Sequence, residues 1–139
     1  MKQKTNESSE LLHLLIPDFI AMRFILAFLL TATIAFLAGL RMEWWSIALV
    51  AFLVALLIPQ RIRNAFLSGF IGIFILWAVL AFWIDNKNGN ILSREIAELF
   101  KLGGSSVLLI LVTALIGGLV GGFAAMAGSS LRPVPRFRR

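Results

Sequence analysis

The sequence predicts an all-α integral membrane protein, built as a bundle of four transmembrane helices in a single membrane domain, 1–139. Three observations lead to this fold class: 60% of the 139 residues are hydrophobic, only 14% are charged, and the mean hydropathy is +0.93. A soluble domain of this size needs a largely polar surface, which this composition cannot supply. The chain has no cysteine, and this excludes disulfides, thiolate metal sites and cysteine nucleophiles.

Four apolar segments are the predicted spans. Three of them have the length of about 20 residues that a helix needs to cross the hydrocarbon core, and one is shorter. Membrane β-strands are excluded, because they are about 10 residues long and alternate apolar with polar residues. The predicted spans are residues 19–40, 44–58, 65–84 and 105–126.

The second span is the short one, with a reach of only about 22 Å at 1.5 Å per residue. We expect it to cross the membrane with the help of its flanks. Trp44 and Trp45 are typical of one membrane interface, whereas Pro59 and Arg61 mark the other.

Two further segments have the pattern of short amphipathic helices that lie in the membrane interface. Near the N-terminus, a leucine-rich stretch follows two serines, and Pro17 then suits the first turn of a new helix. In the loop 85–104, an Asn-Gly turn precedes Ser93, which can cap a short helix that Gly103 and Gly104 end.

The distribution of basic residues predicts that both chain ends lie in the cytoplasm, in a bacterial inner membrane. Nine Lys and Arg residues against three acids flank the ends of the chain and the second connection, while the remaining segments hold four of each. In a soluble protein the net charge of +6 would point to nucleic acid, but here the charges lie beside apolar spans and fit anionic lipid.

The basic tail, 127–139, is predicted to contact anionic lipid headgroups, and docking of an acidic partner is the alternative. Its two prolines keep it extended, which suits either role. The arginines that would make these contacts are Arg132, Arg136, Arg138 and Arg139.

The last span sorts its residues by size. On a helical wheel its small residues fill one arc of about 140°, and the large aliphatic residues fill the opposite arc. A face of small residues lets two helix backbones approach closely, so we interpret it as a packing groove. The groove consists of Ala114, Gly117, Gly118, Gly121, Gly122, Ala125, Gly128 and Ser129.

The third span is the expected occupant of this groove, through Gly69 and Gly72, and a helix from another subunit is the alternative. The first and second spans should pair with each other toward the outer side. On the second span the small residues that would make this contact are Ala48, Ala51 and Ala55.

Ionisable residues give no sign of a reactive centre, so no catalytic, cofactor-binding or metal-ligating residue is predicted. Arg23 lies near the cytoplasmic end of its span, where its side chain can reach the headgroups. Glu43 is expected to be solvated at the outer interface, and His13 is the only histidine. The segment 85–90, DNKNGN, fits a turn better than a calcium loop.

Three functions compete. The favoured one is a non-enzymatic accessory or assembly subunit that packs against partner helices, or against copies of itself, in a larger membrane complex. The second is a small oligomeric channel or transporter, although the first-span glutamate of small multidrug carriers and the polar Asn and Phe/Thr boxes of fluoride channels have no counterpart here. The third, an enzyme acting on lipid headgroups, ranks last because no spacing links the acids of the predicted outer face.

Overall fold

The computed structural model describes the backbone of residues 2–42 and 45–131, and the side chains from residue 19 onward within those ranges. All regular structure in these residues is helical. The five helices are α1 (Lys2–Gly39), α2 (Ser46–Leu57), α3 (Ile62–Lys87), α4 (Ile91–Leu99) and α5 (Ser106–Ser130).

Three of these helices are long and apolar enough to cross a membrane, which confirms the all-α membrane class. They are the Phe19–Gly39 part of α1, the whole of α3 and the whole of α5. The second apolar helix, α2, has only 12 residues and is about 18 Å long. By length and composition the count of four spans is therefore not confirmed.

Local sequence explains where several helices begin and end. Ile58 is extended, as expected for a residue before proline, and Pro59 follows it, so α2 cannot continue into α3. The side chain of Ser105 accepts a hydrogen bond of 3.4 Å from the backbone N–H of Leu108 and caps α5. Gly89, at a φ of 63°, permits the tight turn between α3 and α4.

Two predictions about the short helices need correction. The separate N-terminal helix is wrong, because α1 continues without interruption through Pro17. Proline removes only one backbone hydrogen bond there and has a φ compatible with a helix. The predicted helix in the loop 85–104 is present as α4, but Ser93 does not cap it: the helix begins after Asn90, and Ser93 lies in its first turn.

The four long or apolar helices form a ring in the order α1, α3, α5, α2. The most extensive contact is between α3 and α5, followed by α2 with α5 and then by α1 with α3 and with α2. In the described part of the chain α1 and α5 make no direct pairing, so they occupy opposite corners.

Contacts between named residues fix the directions of the helices. Gln60, just before α3, bonds to Arg23, and Gly72 of α3 lies next to Phe28, so α1 and α3 are parallel. Ser129, at the end of α5, bonds to the backbone of Gln60, so α5 is antiparallel to α3. We call the end of the bundle that holds Arg23, Gln60 and Ser129 the basal end, and the opposite end, which holds α4, the loop end.

The core consists of two clusters of buried residues. The larger one joins α1, α2 and α3, and comprises Ala27, Ala35, Ile47, Val50, Val54 and Ile73. In the smaller one, Ala51 and Ala55 of α2 pack with Ala65 and Ala125. The predicted pairing of these two α2 alanines with the first span is therefore wrong, because their small side chains let α2 approach α5 instead.

Candidate functional site

The small-residue face of α5 lies inside the bundle. Gly117, Gly118, Gly121, Gly122 and Ala125 are all buried, together with Ala114, Gly128 and Ser129. The large side chains of the same helix, such as those of the outward-facing leucines, are exposed.

Side chains and backbone of α3 fill this face. A Cβ added to Gly121 would come within 2.5 Å of Cγ1 of Ile73, and one added to Gly117 within 2.9 Å of the Trp77 ring. At Gly69 the Cβ would meet the backbone oxygen of Gly121 and the Cβ of Ala125, both at 2.7 Å. The face is thus used within the chain, by close contact of two helix backbones.

Gly72, predicted on the same interface, lies elsewhere. A Cβ added there would have the backbone oxygen of Phe28 as its nearest neighbour, at 3.4 Å, with Thr31 close by. Gly72 therefore contacts α1 and not α5, because it lies three residues after Gly69 and the helix has turned toward its other neighbour.

A second group of residues forms a polar cluster at the basal end. The Nε2 of Gln60 donates to the backbone oxygen of Arg23 (3.3 Å), and the hydroxyl of Ser68 donates to Oε1 of Gln60 (3.4 Å). The Ser68 hydroxyl shares its one proton between this oxygen and the nearer backbone oxygen of Ala65, at 3.1 Å. The hydroxyl of Ser129 donates to the backbone oxygen of Gln60 (3.1 Å). One glutamine therefore links α1, α3 and α5 where the connection after α2 leaves backbone groups without helical partners.

Arg23 takes part in the same cluster. Its Nη1 donates to the backbone oxygen of Pro59 at 3.3 Å, and its guanidinium lies 4.1 Å from the centre of the Phe19 ring. The side chain thus braces α1 against the connection between α2 and α3, in addition to any contact with lipid headgroups.

A third group lies at the loop end, where the sequence predicts an Asn-Gly turn and a short interfacial helix. The carboxylate of Asp85 accepts hydrogen bonds from Nδ2 of Asn90 (2.8 Å) and from the hydroxyl of Ser93. The hydroxyls of Ser93 and Ser106 lie 2.8 Å apart, so the cluster joins α3, α4 and α5. Only 8% of Asp85 is exposed, although it lies in the last turns of α3.

An apolar pocket of about 170 Å³ adjoins this carboxylate, between α3, α4 and α5. Its walls are mainly aliphatic and include Ile84, Ile96, Leu109 and Ile110. The sequence carried one signal for this site: Asp85 precedes an Asn-Gly turn, which reverses the chain and brings residues five and eight positions later back to it.

Some of the residues singled out in the sequence lie outside the described residues, and the described ones form no metal-binding group. Glu43 and the four arginines Arg132, Arg136, Arg138 and Arg139 fall outside the described ranges, as does the side chain of His13. Among the residues that the structure describes, no three His, Cys, Asp or Glu side chains are grouped so that they could hold a metal ion.

No family model, curated protein or solved structure matches this chain.

Proposed function

We propose that this chain is a non-enzymatic membrane protein whose four apolar helices all cross the bilayer, with both chain ends on the cytoplasmic side of a bacterial inner membrane. Because α1 and α3 are parallel, the chain between Gly39 and Ile62 returns across the thickness that they share. Its helix, α2, is about 18 Å long, whereas the hydrocarbon core is about 30 Å thick. The flanks of α2 and local thinning of the bilayer make up this difference.

We further propose that it acts as an accessory or assembly subunit, through its outer surface. The small-residue groove, for which a helix from another subunit was the alternative occupant, is filled by α3 and α2 of the same chain. The two polar clusters likewise join helices of the bundle to one another. What the chain offers to other proteins is therefore its outward-facing apolar side chains.

Among the three long apolar helices, α1 is the one that the rest of the chain covers least, and this observation carries the proposal. In an apolar stretch of 18 residues, 17% of the residues of α1 are buried, against 28% for the equivalent stretches of α3 and of α5. Met22, Ile25 and Leu29 form a ridge on the outer face of α1, and each is more than half exposed. A ridge with this spacing fits the groove of another helix.

Photocrosslinking in native membranes tests the proposal. A p-benzoylphenylalanine at Ile25 should give one adduct of defined mass, either with a partner protein or with a second copy of the chain. The matched control is the same residue at Phe123, on the outer face of α5, because the two side chains are 54% and 55% exposed. There we expect lipid adducts only. Lipid adducts alone at both positions would contradict the proposal.

The alternative is a small oligomeric channel or transporter. Apolar residues such as Val50, Val54 and Ile73 fill the space between the helices, so a path for ions would have to run between chains. Reconstituted protein that carries a measurable flux of small ions across liposomes would favour this alternative over the accessory subunit.

A further inference from the structure

The pocket at the loop end combines apolar walls with one buried carboxylate. Its volume is about 170 Å³, and aliphatic side chains of three helices, among them Ile96, Leu109 and Ile110, surround it. Thr113 also lines it; its hydroxyl donates to the backbone oxygen of Leu109 at 2.9 Å, and its oxygen can still accept a hydrogen bond. The polar groups that remain for a ligand belong mainly to Asp85 and its neighbours.

The carboxylate of Asp85 is satisfied only in part. Each oxygen accepts one hydrogen bond, from Asn90 and from Ser93, whereas an ionised carboxylate offers about four acceptor sites. Within the described residues it has no cationic partner. Lys87, two residues further along, lies instead over the ring of Trp83, with its Nζ 4.2 Å from the ring centre.

A buried carboxylate without a positive partner is unfavourable, and a ligand that brings the positive charge relieves this. A hard metal cation needs six or more oxygen ligands, which aliphatic walls do not supply. An organic cation needs only one or two acceptors, and its apolar part can occupy the space between the helices.

From this combination we propose that the pocket binds a protonated primary amine that carries a short apolar chain. The ammonium donates to the free acceptor sites of Asp85, and the chain lies against Ile96, Leu109 and Ile110. Two sources supply a protonated primary amine: a free alkylamine, which also brings the apolar chain, and the ethanolamine headgroup of a phospholipid, which brings only two methylene groups before its phosphate. The inference is independent of the partner surface on α1, because the two sites share no residue.

Photolabelling of the purified protein in lipid nanodiscs tests this proposal. The probe is a hexylamine that carries a diazirine on its chain, and the matched control probe is the corresponding hexanol. Peptide mapping should find the amine on residues that line the pocket. The alcohol should label these residues about tenfold less, because its hydroxyl can donate to the carboxylate but brings no positive charge.

Two variants identify the groups responsible. Asp85→Asn keeps an acceptor oxygen for its neighbours, and it should remove the preference for the amine over the alcohol. Ile110→Phe fills the pocket and should lower labelling by both probes, whereas Leu111→Phe, one residue further on and 46% exposed, should not. If Asp85→Asn does not fold, as judged by circular dichroism, the variants Ile110→Phe and Leu111→Phe and the comparison of amine with alcohol still test the proposal.

The lipid around the protein distinguishes the two sources. Nanodiscs of phosphatidylethanolamine should suppress labelling, relative to phosphatidylcholine, if a headgroup occupies the pocket; equal labelling in both lipids points to a free amine. Equal labelling of the pocket by amine and alcohol would overturn the proposal, and so would labelling that Ile110→Phe leaves unchanged.

Discussion

Replacing Gly69 by alanine should destabilise the bundle, because the new methyl group has no room. Its Cβ would lie 2.7 Å from both the backbone oxygen of Gly121 and the Cβ of Ala125, and neither atom can rotate away. Overpacking of this kind costs about 1–3 kcal/mol. Alanine recovers about 0.5–1 kcal/mol through its better helix propensity, so the net loss should lie between about 0 and 2.5 kcal/mol.

The assay is the free energy of unfolding in mild detergent, with Gly39→Ala as the matched control. A Cβ at Gly39 would meet nothing within 4 Å, so that variant should be as stable as the parent or slightly more so. Ala125→Gly removes one of the two clashes and should restore part of the stability of Gly69→Ala, a coupling that a double-mutant cycle measures. Equal stability of Gly69→Ala and Gly39→Ala would refute the backbone contact between α3 and α5.

Three further predictions concern polar residues. The buried Oγ of Ser46 has no hydrogen-bond partner among the described residues, so Ser46→Ala should raise the free energy of unfolding by about 1 kcal/mol, and a decrease in chemical denaturation would contradict this. Gln60→Ala should lower it by about 1 kcal/mol, because α1 and α3 lose their shared side chain, while the exposed Asn86→Ala should leave it unchanged in the same assay. Glutamine at all four tail arginines should reduce the anionic lipids that native mass spectrometry finds bound, and an unchanged number would argue against lipid contact; these residues are Arg132, Arg136, Arg138 and Arg139.

Helical periodicity was sufficient to define the faces of α5, but not to say which helix every small residue of the bundle contacts. The wheel of the last span separates the same residues that the structure buries, because small and large side chains repeat with the period of the helix. The same periodicity in the other helices does not show that Gly72 contacts α1, or that Ala51 and Ala55 contact α5. Which helix a small face meets depends on how the whole ring of helices closes.

Contacts made across a chain reversal were only partly predictable: the Asn-Gly turn after Asp85 is visible in the sequence, but the partners that it brings to the carboxylate are not. The buried state of Asp85 arises only because α4 folds back and brings Asn90 and Ser93 to its carboxylate. The contacts of Gln60 also depend on how distant segments come together, because its three partner residues lie on three different helices. The prediction of a separate N-terminal helix failed for a different reason: proline favours the start of a helix, but α1 continues through Pro17.

The proposal that α2 crosses the membrane is tested most directly by cysteine accessibility in intact cells. The chain has no native cysteine, so single cysteines at Met42, before α2, and at Ile62, after it, need no further changes. A membrane-impermeant maleimide should label Met42→Cys in intact cells, as it should the loop-end control Asn88→Cys, and should label Ile62→Cys only after permeabilisation. Labelling of Met42→Cys and Ile62→Cys from the same side would show that α2 does not cross, and would contradict the four-span arrangement.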